Sequence, residues 1–370
     1  MHGAEPEVFW KVNVEGTKTV IAAAVANGIS KLVFTSSAGV TFSGQEDMID
    51  IDERLPYVTE ETAHDTYNLT KALAEQLVLD ANGKDGLHTL AIRPAGIFGL
   101  ALFSRKCRYF PLTYSCRPGD QQNFEGLAEV IRRGQTKWQI GDNTNLFDWT
   151  YVGNVAKAHL LAVDKLGEEI RARGPKPAGD ILAYSLPSIN LSTYEHRVPT
   201  SSSRPLGPYI TPVPNAEAIE AAWKDPTRSM EERVTFRTKY DPLTSVNLDK
   251  ELDNPLQASG QAFYITNGEP IAFWDYVLAV WKEMGHEPTT RVVIPSWLGM
   301  YLGSAAEWWA WLTGRKPGFT RERVGYSSRH RWFNIEKARR VLEYEPDVGL
   351  VDGIRISAQV RALLSIWTLC

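Results

Sequence analysis

Thr66-Tyr-Asn-Leu-Thr-Lys71 decides how the chain is read. Tyr67 and Lys71 are four positions apart, and Ala72-Leu-Ala-Glu-Gln-Leu77 behind them is a run of strong helix formers. Positions i and i+4 of a helix lie on one face, one turn apart, so a phenol and an ammonium are held side by side. An ammonium that close favours the phenolate and is expected to lower the Tyr67 pKa from its usual value of about 10. A tyrosine poised in this way takes a proton from an alcohol near neutral pH. The same spacing also describes a surface tyrosine and lysine on an amphipathic helix, so the neighbouring segments have to decide.

Upstream, Lys31-Leu-Val-Phe-Thr35 predicts a short buried strand that runs into Ser36, Ser37, Ala38 and Gly39. Downstream, Leu87 to Ile92 predicts another, running into Arg93-Pro-Ala-Gly-Ile-Phe-Gly99. Val8 to Asn27 predicts a helix stopped by Gly28, with Asn13-Val-Glu-Gly-Thr17 inside it. The order strand, serines, Tyr-x-x-x-Lys helix, strand, Arg-Pro-x-Gly resembles the extended short-chain dehydrogenase/reductase family. The segment Gly141-Asp142-x-x-Asn145-x-x-Asp148-x-x-Tyr151-Val152 is its most specific stretch. It resembles the 3β-hydroxysteroid dehydrogenase branch, and within it the fungal decarboxylating sterol dehydrogenases. Gln261 to Pro270, the helix with Phe273, Trp274, Tyr276, Val277 and Trp281, and the closing segment Asn334 to Tyr344 extend the likeness.

The resemblance implies an α/β fold with an incomplete Rossmann-like, doubly wound parallel sheet and a smaller C-terminal substrate-binding region. Ligands in such folds collect at the carboxyl ends of parallel strands. The division expected is a partial NAD(P)-binding domain over 1–165, a proline-rich irregular insertion over 166–258 and a substrate-binding region over 259–370. Tyr67 is implied as the base, and Lys71 as the group that tunes it and holds the nicotinamide ribose. Ser37 is implied as the hydroxyl that binds the substrate oxygen, with Ser36 as second choice; a serine after a strand is otherwise a cap. Asn13 and Thr35 are implied near the cofactor, although Asn13 also reads as an ordinary polar helix residue. Pro94, Ala95 and Ile97 would line the nicotinamide side, and Arg93 would pair locally.

The activity implied is NAD- or NADP-dependent oxidation of a sterol 3β-hydroxyl, on a 4α-carboxysterol with decarboxylation. A nucleotide sugar or a secondary metabolite is the alternative substrate, and an inactive fragment the alternative of another class. The partners implied are a sterol and either a homodimer or a sterol demethylation complex. The place implied is the cytosolic face of the endoplasmic reticulum, with the cytoplasm as alternative.

Composition narrows the classes. With 40 basic and 44 acidic residues the net charge is −4, which gives no electrostatic case for nucleic acid. The three cysteines, Cys107, Cys116 and Cys370, show no metal-ligand spacing and are too few for a disulfide framework. The seven histidines show no metal spacing either, so no metal is expected, and His64 and His159 read as structural.

Three stretches fit less well. No Gly-x-x-Gly-x-x-Gly turn, which cradles a pyrophosphate on backbone N–H groups, occurs in these residues. The resemblance sets in at the family's fourth helix, so the expectation is a chain lacking the first strands and the phosphate loop. Such a chain is expected to bind a dinucleotide weakly and to be inactive by itself; the alternative is a protein that holds the cofactor in an unusual way. Leu100 to Cys116 interrupts the likeness before Arg117-Pro-Gly-Asp-Gln-Gln122 resumes it, as a retained intron or a surface loop. Finally, Val292 to Leu312 is apolar and crowded with Trp297, Trp308, Trp309 and Trp311. It reads as a lid over an apolar ligand, as a peripheral membrane contact, or as plain core.

Overall fold

In the computed structural model, residues 6–44, 46–53, 55–99, 123–167, 169–170, 256–314 and 319–367 are described. The expectations for Leu100 to Cys116, for the motif at Arg117 to Gln122 and for all three cysteines lie outside them. In chain order the helices are α1 (Pro6–Phe9), α2 (Gly16–Ala26), α3 (Thr66–Asp80), α4 (Phe124–Arg132), α5 (Val152–Lys165), α6 (Phe273–Glu283), α7 (Ser296–Thr313), α8 (Arg321–Ser328), α9 (Glu336–Val341) and α10 (Leu350–Trp367). The strands are β1 (Lys31–Thr35), β2 (Met48–Ile51), β3 (His88–Pro94), β4 (Gly96–Phe98), β5 (Trp138–Ile140), β6 (Leu146–Phe147), β7 (Trp149–Tyr151), β8 (Glu169–Ile170), β9 (Leu256–Gln257), β10 (Ala262–Ile265), β11 (Ile271–Ala272), β12 (Val292–Ile294) and β13 (Arg331–Phe333).

The sheet that carries the site is parallel, in the order β1-β3-β10. Central β3 is almost wholly buried, as its run of apolar residues requires of a strand covered on both faces. Leu90, Ile92 and Phe263 are sealed from solvent and each stabilises the fold by about 1.5–3 kcal/mol. β1 differs from the short buried strand expected. It pairs with β3 alone among the described residues, and its burial fades towards both ends.

The helix expected over Val8–Asn27 is found in pieces. α1 leads into a π-helical stretch, Trp10–Glu15, and then into α2. π-Helical turns are rare and collect at functional sites. This one contains Asn13.

The described residues form two main apolar cores. The first joins Leu90 and Ile92 to Phe263, Tyr264 and Ile265 and, from the far end of the chain, Phe333, Val341 and Tyr344. The second joins Phe98, Phe124, Phe147 and Trp149 to Tyr276, Trp281 and Ile354. Each core therefore draws on both sides of the expected division at 258/259. β8 and β9 pair antiparallel, Glu169 with Gln257 and Ile170 with Leu256, and bring together the chain on either side of 171–255.

α7 packs with its small face inward. A Cβ on Gly303 would stand 2.7 Å from the Arg321 backbone nitrogen of α8, so the two helices touch backbone to backbone. Its large side chains point the other way: Trp297 is 64% exposed, Tyr301 71% and Trp311 78%. The reading of this segment as plain core is thereby overturned. No helix of the described residues is long and apolar enough to cross a membrane.

Candidate active site

The site is built where parallel β1 and β3 end. Ser36 follows β1, its amide donating to the Ile92 carbonyl at 2.7 Å, and its buried Oγ has no hydrogen-bond partner among the described residues. Ser37 caps the 3-10 turn Ala38–Thr41, and its Oγ accepts the Gly39 amide at 3.1 Å. It is thus the cap that a serine after a strand usually is, and its hydroxyl also acts on the Tyr67 phenol, lowering its pKa. What draws α3 so close is Gly39. A Cβ there would fall 2.1 Å from Asn68 Oδ1, so only glycine lets the helix lie against the turn. Asp65 fixes the start of that helix by accepting the Asn68 amide at 2.7 Å.

Lys71 departs from the expected arrangement. Its ammonium donates to the Thr35 carbonyl at 2.6 Å and sits 4.3 Å above the Phe34 ring. Burial pushes its pKa down to about 8, with Glu75 pulling the other way. The Tyr67 pKa is raised rather than lowered. Burial is the main cause, the Ser37 hydrogen bond works against it, and Asp65 raises it further. The expectation that Lys71 depresses the Tyr67 pKa is corrected: in this state the ammonium is engaged by a carbonyl, and desolvation of the phenolate dominates.

The other expected residues are placed as follows. Thr35 is fully used: its carbonyl binds Lys71, and its hydroxyl lies 2.6 Å from His159 Nε2. His159 Nδ1 lies 2.8 Å from the Val155 carbonyl, which can only accept, so Nδ1 carries the proton and Nε2 accepts from Thr35. Asn13 donates to Thr70 at 3.0 Å and so touches the site through α3. Pro94 ends β3 opposite Ile265, and the Ala95 amide donates to the Ile265 carbonyl at 3.1 Å. Ile97 is 42% exposed beside them, on β4. Arg93 pairs locally, as expected, with Glu75 at 2.7 Å.

Two neighbours of these residues did not show in the sequence as parts of the site: Asn68, which fits against Gly39, and His159, expected to be structural, which bonds Thr35. An open cleft of about 540 Å³ adjoins the site. Its wall includes Phe42, at the end of the turn that Ser37 opens, His64, next to the Asp65 cap, and Trp297 and Met300 of α7.

Comparison with known proteins decides the family. The profile of the 3-beta hydroxysteroid dehydrogenase/isomerase family matches residues 1–110 and 111–178. The chain is 35% identical to sterol-4-alpha-carboxylate 3-dehydrogenase, decarboxylating, of Schizosaccharomyces pombe, over 96% of this chain and 73% of that protein. The chain belongs to the 3-beta hydroxysteroid dehydrogenase/isomerase family. The Saccharomyces cerevisiae protein of the same description is 34% identical over 96% of this chain and 72% of its own. Among solved structures, dTDP-glucose 4,6-dehydratase from Bacillus anthracis in complex with NAD superimposes with a TM-score of 0.51 at 14% identity. That match covers 99% of this chain and 72% of the dehydratase, and it shows the Rossmann-type α/β fold. Membership makes the chain an oxidoreductase by family, of a kind that works with a nicotinamide cofactor. The residues present fit the nicotinamide half of such a cofactor: a half-buried ammonium with donors to spare, an orphaned Ser36 hydroxyl and the exposed apolar face of Ile97.

Proposed function

We propose that this protein oxidises the 3β-hydroxyl of a 4α-carboxysterol and releases the carboxyl group as carbon dioxide, a C-4 demethylation step of sterol biosynthesis. The chemistry rests on the placing of Ser37 after β1 and of Tyr67 in the first turn of α3, with the Ser37 hydroxyl acting on the phenol; the choice of substrate rests on the relatives' description. Ser37 holds the 3-oxygen and Tyr67 takes its proton. A nicotinamide cofactor, when bound, would supply the acceptor for the hydride that leaves C3. Tyr67 stands protonated in the state described, so its action as a base requires a cation beside it. Lys71, one turn along the same helix, supplies one on leaving the Thr35 carbonyl, and its remaining donors suit ribose hydroxyls. Asn13, through Thr70, steadies the helix that carries both. Pro94, Ala95 and Ile97 would hold the apolar side of the nicotinamide.

The 3-keto product is a β-keto acid. The bond from C4 to the carboxyl carbon breaks, its electron pair passes into an enolate, and the Ser37 and Tyr67 hydroxyls stabilise the oxygen that gains charge. Sterols partition into membranes, and the exposed aromatic and aliphatic face of α7 suits peripheral contact with a bilayer surface such as the cytosolic face of the endoplasmic reticulum.

The test uses a 3β-hydroxysterol labelled with ¹³C in its 4α-carboxyl group, incubated with the full gene product and either NAD or NADP. Labelled carbon dioxide is expected in step with cofactor reduction. Reduction without labelled carbon dioxide would leave a plain 3β-hydroxysterol dehydrogenase. Turnover of a nucleotide sugar in place of the sterol would overturn the reading.

A further inference from the structure

Arg331, on β13, has a guanidinium that nothing in the mechanism above uses. Among the described residues it makes no hydrogen bond and no ion pair, and its Nε is sealed from solvent without an acceptor. It is packed among rings: its guanidinium carbon lies 4.0 Å from the centre of Phe42, 4.8 Å from Tyr326 and 5.3 Å from Phe147. Taking a charge out of water and leaving it without a counter-charge is costly, so such a group in a folded protein needs an explanation. Burial already lowers its pKa, and the groups that counter this, Tyr326 and Asp65, act through space.

The position narrows the explanation. Phe42, the ring closest to the guanidinium, closes the turn that Ser37 opens. Asp65, the carboxylate that feels the guanidinium, caps the helix that carries Tyr67. The cation therefore packs on the far end of the turn that carries Ser37 and lies within electrostatic reach of the cap of the helix that carries Tyr67. On a 4-carboxysterol the carboxylate is attached to the carbon next to C3, so whatever holds it has to lie beside Ser37 and Tyr67. Arg329 and Arg321, which line the cleft, are less suited: Arg321 is already paired with Glu307 at 3.0 Å, and neither is packed among rings among the described residues. A planar guanidinium presents parallel donors that match a carboxylate, and aromatic walls keep water from competing.

We propose that Arg331 binds the carboxylate of the substrate and is the residue that selects a carboxylated sterol over its uncharged counterpart. This rests on the sterol reading above. It deepens that reading by naming the group that tells the substrate from the many 3β-hydroxysterols lacking the acid.

The experiment measures binding, so it does not depend on turnover. A 4α-carboxysterol and the matching 4α-methylsterol, both delivered in cyclodextrin, are titrated into the protein and followed by tryptophan fluorescence. Wild type is expected to bind the acid at least tenfold more tightly. Arg331→Met is expected to weaken the acid by about 10- to 100-fold, the range for a lost charged hydrogen bond, and to leave the methylsterol unchanged. Arg331→Lys, which keeps the charge and loses the fork, is expected to lie between. Thermal unfolding of each variant checks that it folds. Equal binding of the two sterols in wild type, or an equal loss of both in Arg331→Met, overturns the role of Arg331 while the sterol reading stands. Binding of neither sterol overturns both.

Discussion

Two arginines are packed among aromatic rings near the site, and they are built differently. Arg93 sits between the rings of Tyr57 and Tyr264, at 5.0 and 5.2 Å. Its Nε and Nη2 both reach Glu75, at 2.9 and 2.7 Å, and Glu75 also accepts the Tyr57 hydroxyl at 2.7 Å. Arg331 has the same aromatic company and no carboxylate partner among the described residues. The difference teaches how to tell a part of the scaffold from a part of the site. The scaffold closes its own charges, whereas a ligand site leaves one open for what it binds.

The largest effect expected is on the closed pair. Glu75→Ala leaves Arg93 buried and unpaired and should cost about 3–5 kcal/mol in urea unfolding. Arg331→Met, which removes a charge that has no partner to lose, should be neutral or stabilising by about 1 kcal/mol or more. If the two changes cost the same, Arg331 has a counter-ion within the fold and the contrast is broken.

A smaller effect sharpens the comparison from the acidic side. Asp148 is buried, accepts the Phe333 amide at 2.8 Å through one oxygen and has no hydrogen-bond partner at the other among the described residues. Burial pushes its pKa up to about 8, against the pull of that amide and of Arg339. Between the unfolded value of about 4 and that folded value, the native state holds a proton that the unfolded chain has lost. Stability should therefore fall as pH rises through this window, and Asp148→Asn should flatten the slope in a series of Tm measurements. A slope of the opposite sign would mean that Asp148 is charged and paired in the native state.

The parts legible in the sequence are those set by local pattern. The helix behind Tyr67, the apolar strand of Leu90 and Ile92, the buried strand of Phe263 to Ile265 and the helix of Phe273 to Trp281 follow from spacing and helix-former runs. Ser36, Ser37 and Tyr67 could each be set at the end of a strand or the start of a helix, because each adjoins a readable element. What spacing could not supply is the state of a charge. The i and i+4 rule sets Tyr67 and Lys71 on one face, but it does not say that the ammonium turns to the Thr35 carbonyl, or that burial outweighs it at the phenol. Nor does local pattern reach across the chain. Arg331 meets Phe42 only because β13 pairs with β2 in parallel, and Asn68 matters only because Gly39 leaves room for it. The outward face of α7 is similar: the tryptophans show in the sequence, and their direction is settled by Gly303 lying against α8.

One comparison tests whether Tyr67 is the acid–base group of a sterol site. The full gene product and its Tyr67→Phe variant are assayed for kcat on the 4α-carboxy-3β-hydroxysterol, alongside the Kd for that sterol. The phenylalanine keeps the ring that packs against Phe9 at 5.8 Å and removes only the hydroxyl. The account predicts a fall in kcat of at least about 100-fold with Kd unchanged within a few-fold. Turnover by Tyr67→Phe within a few-fold of wild type would contradict it.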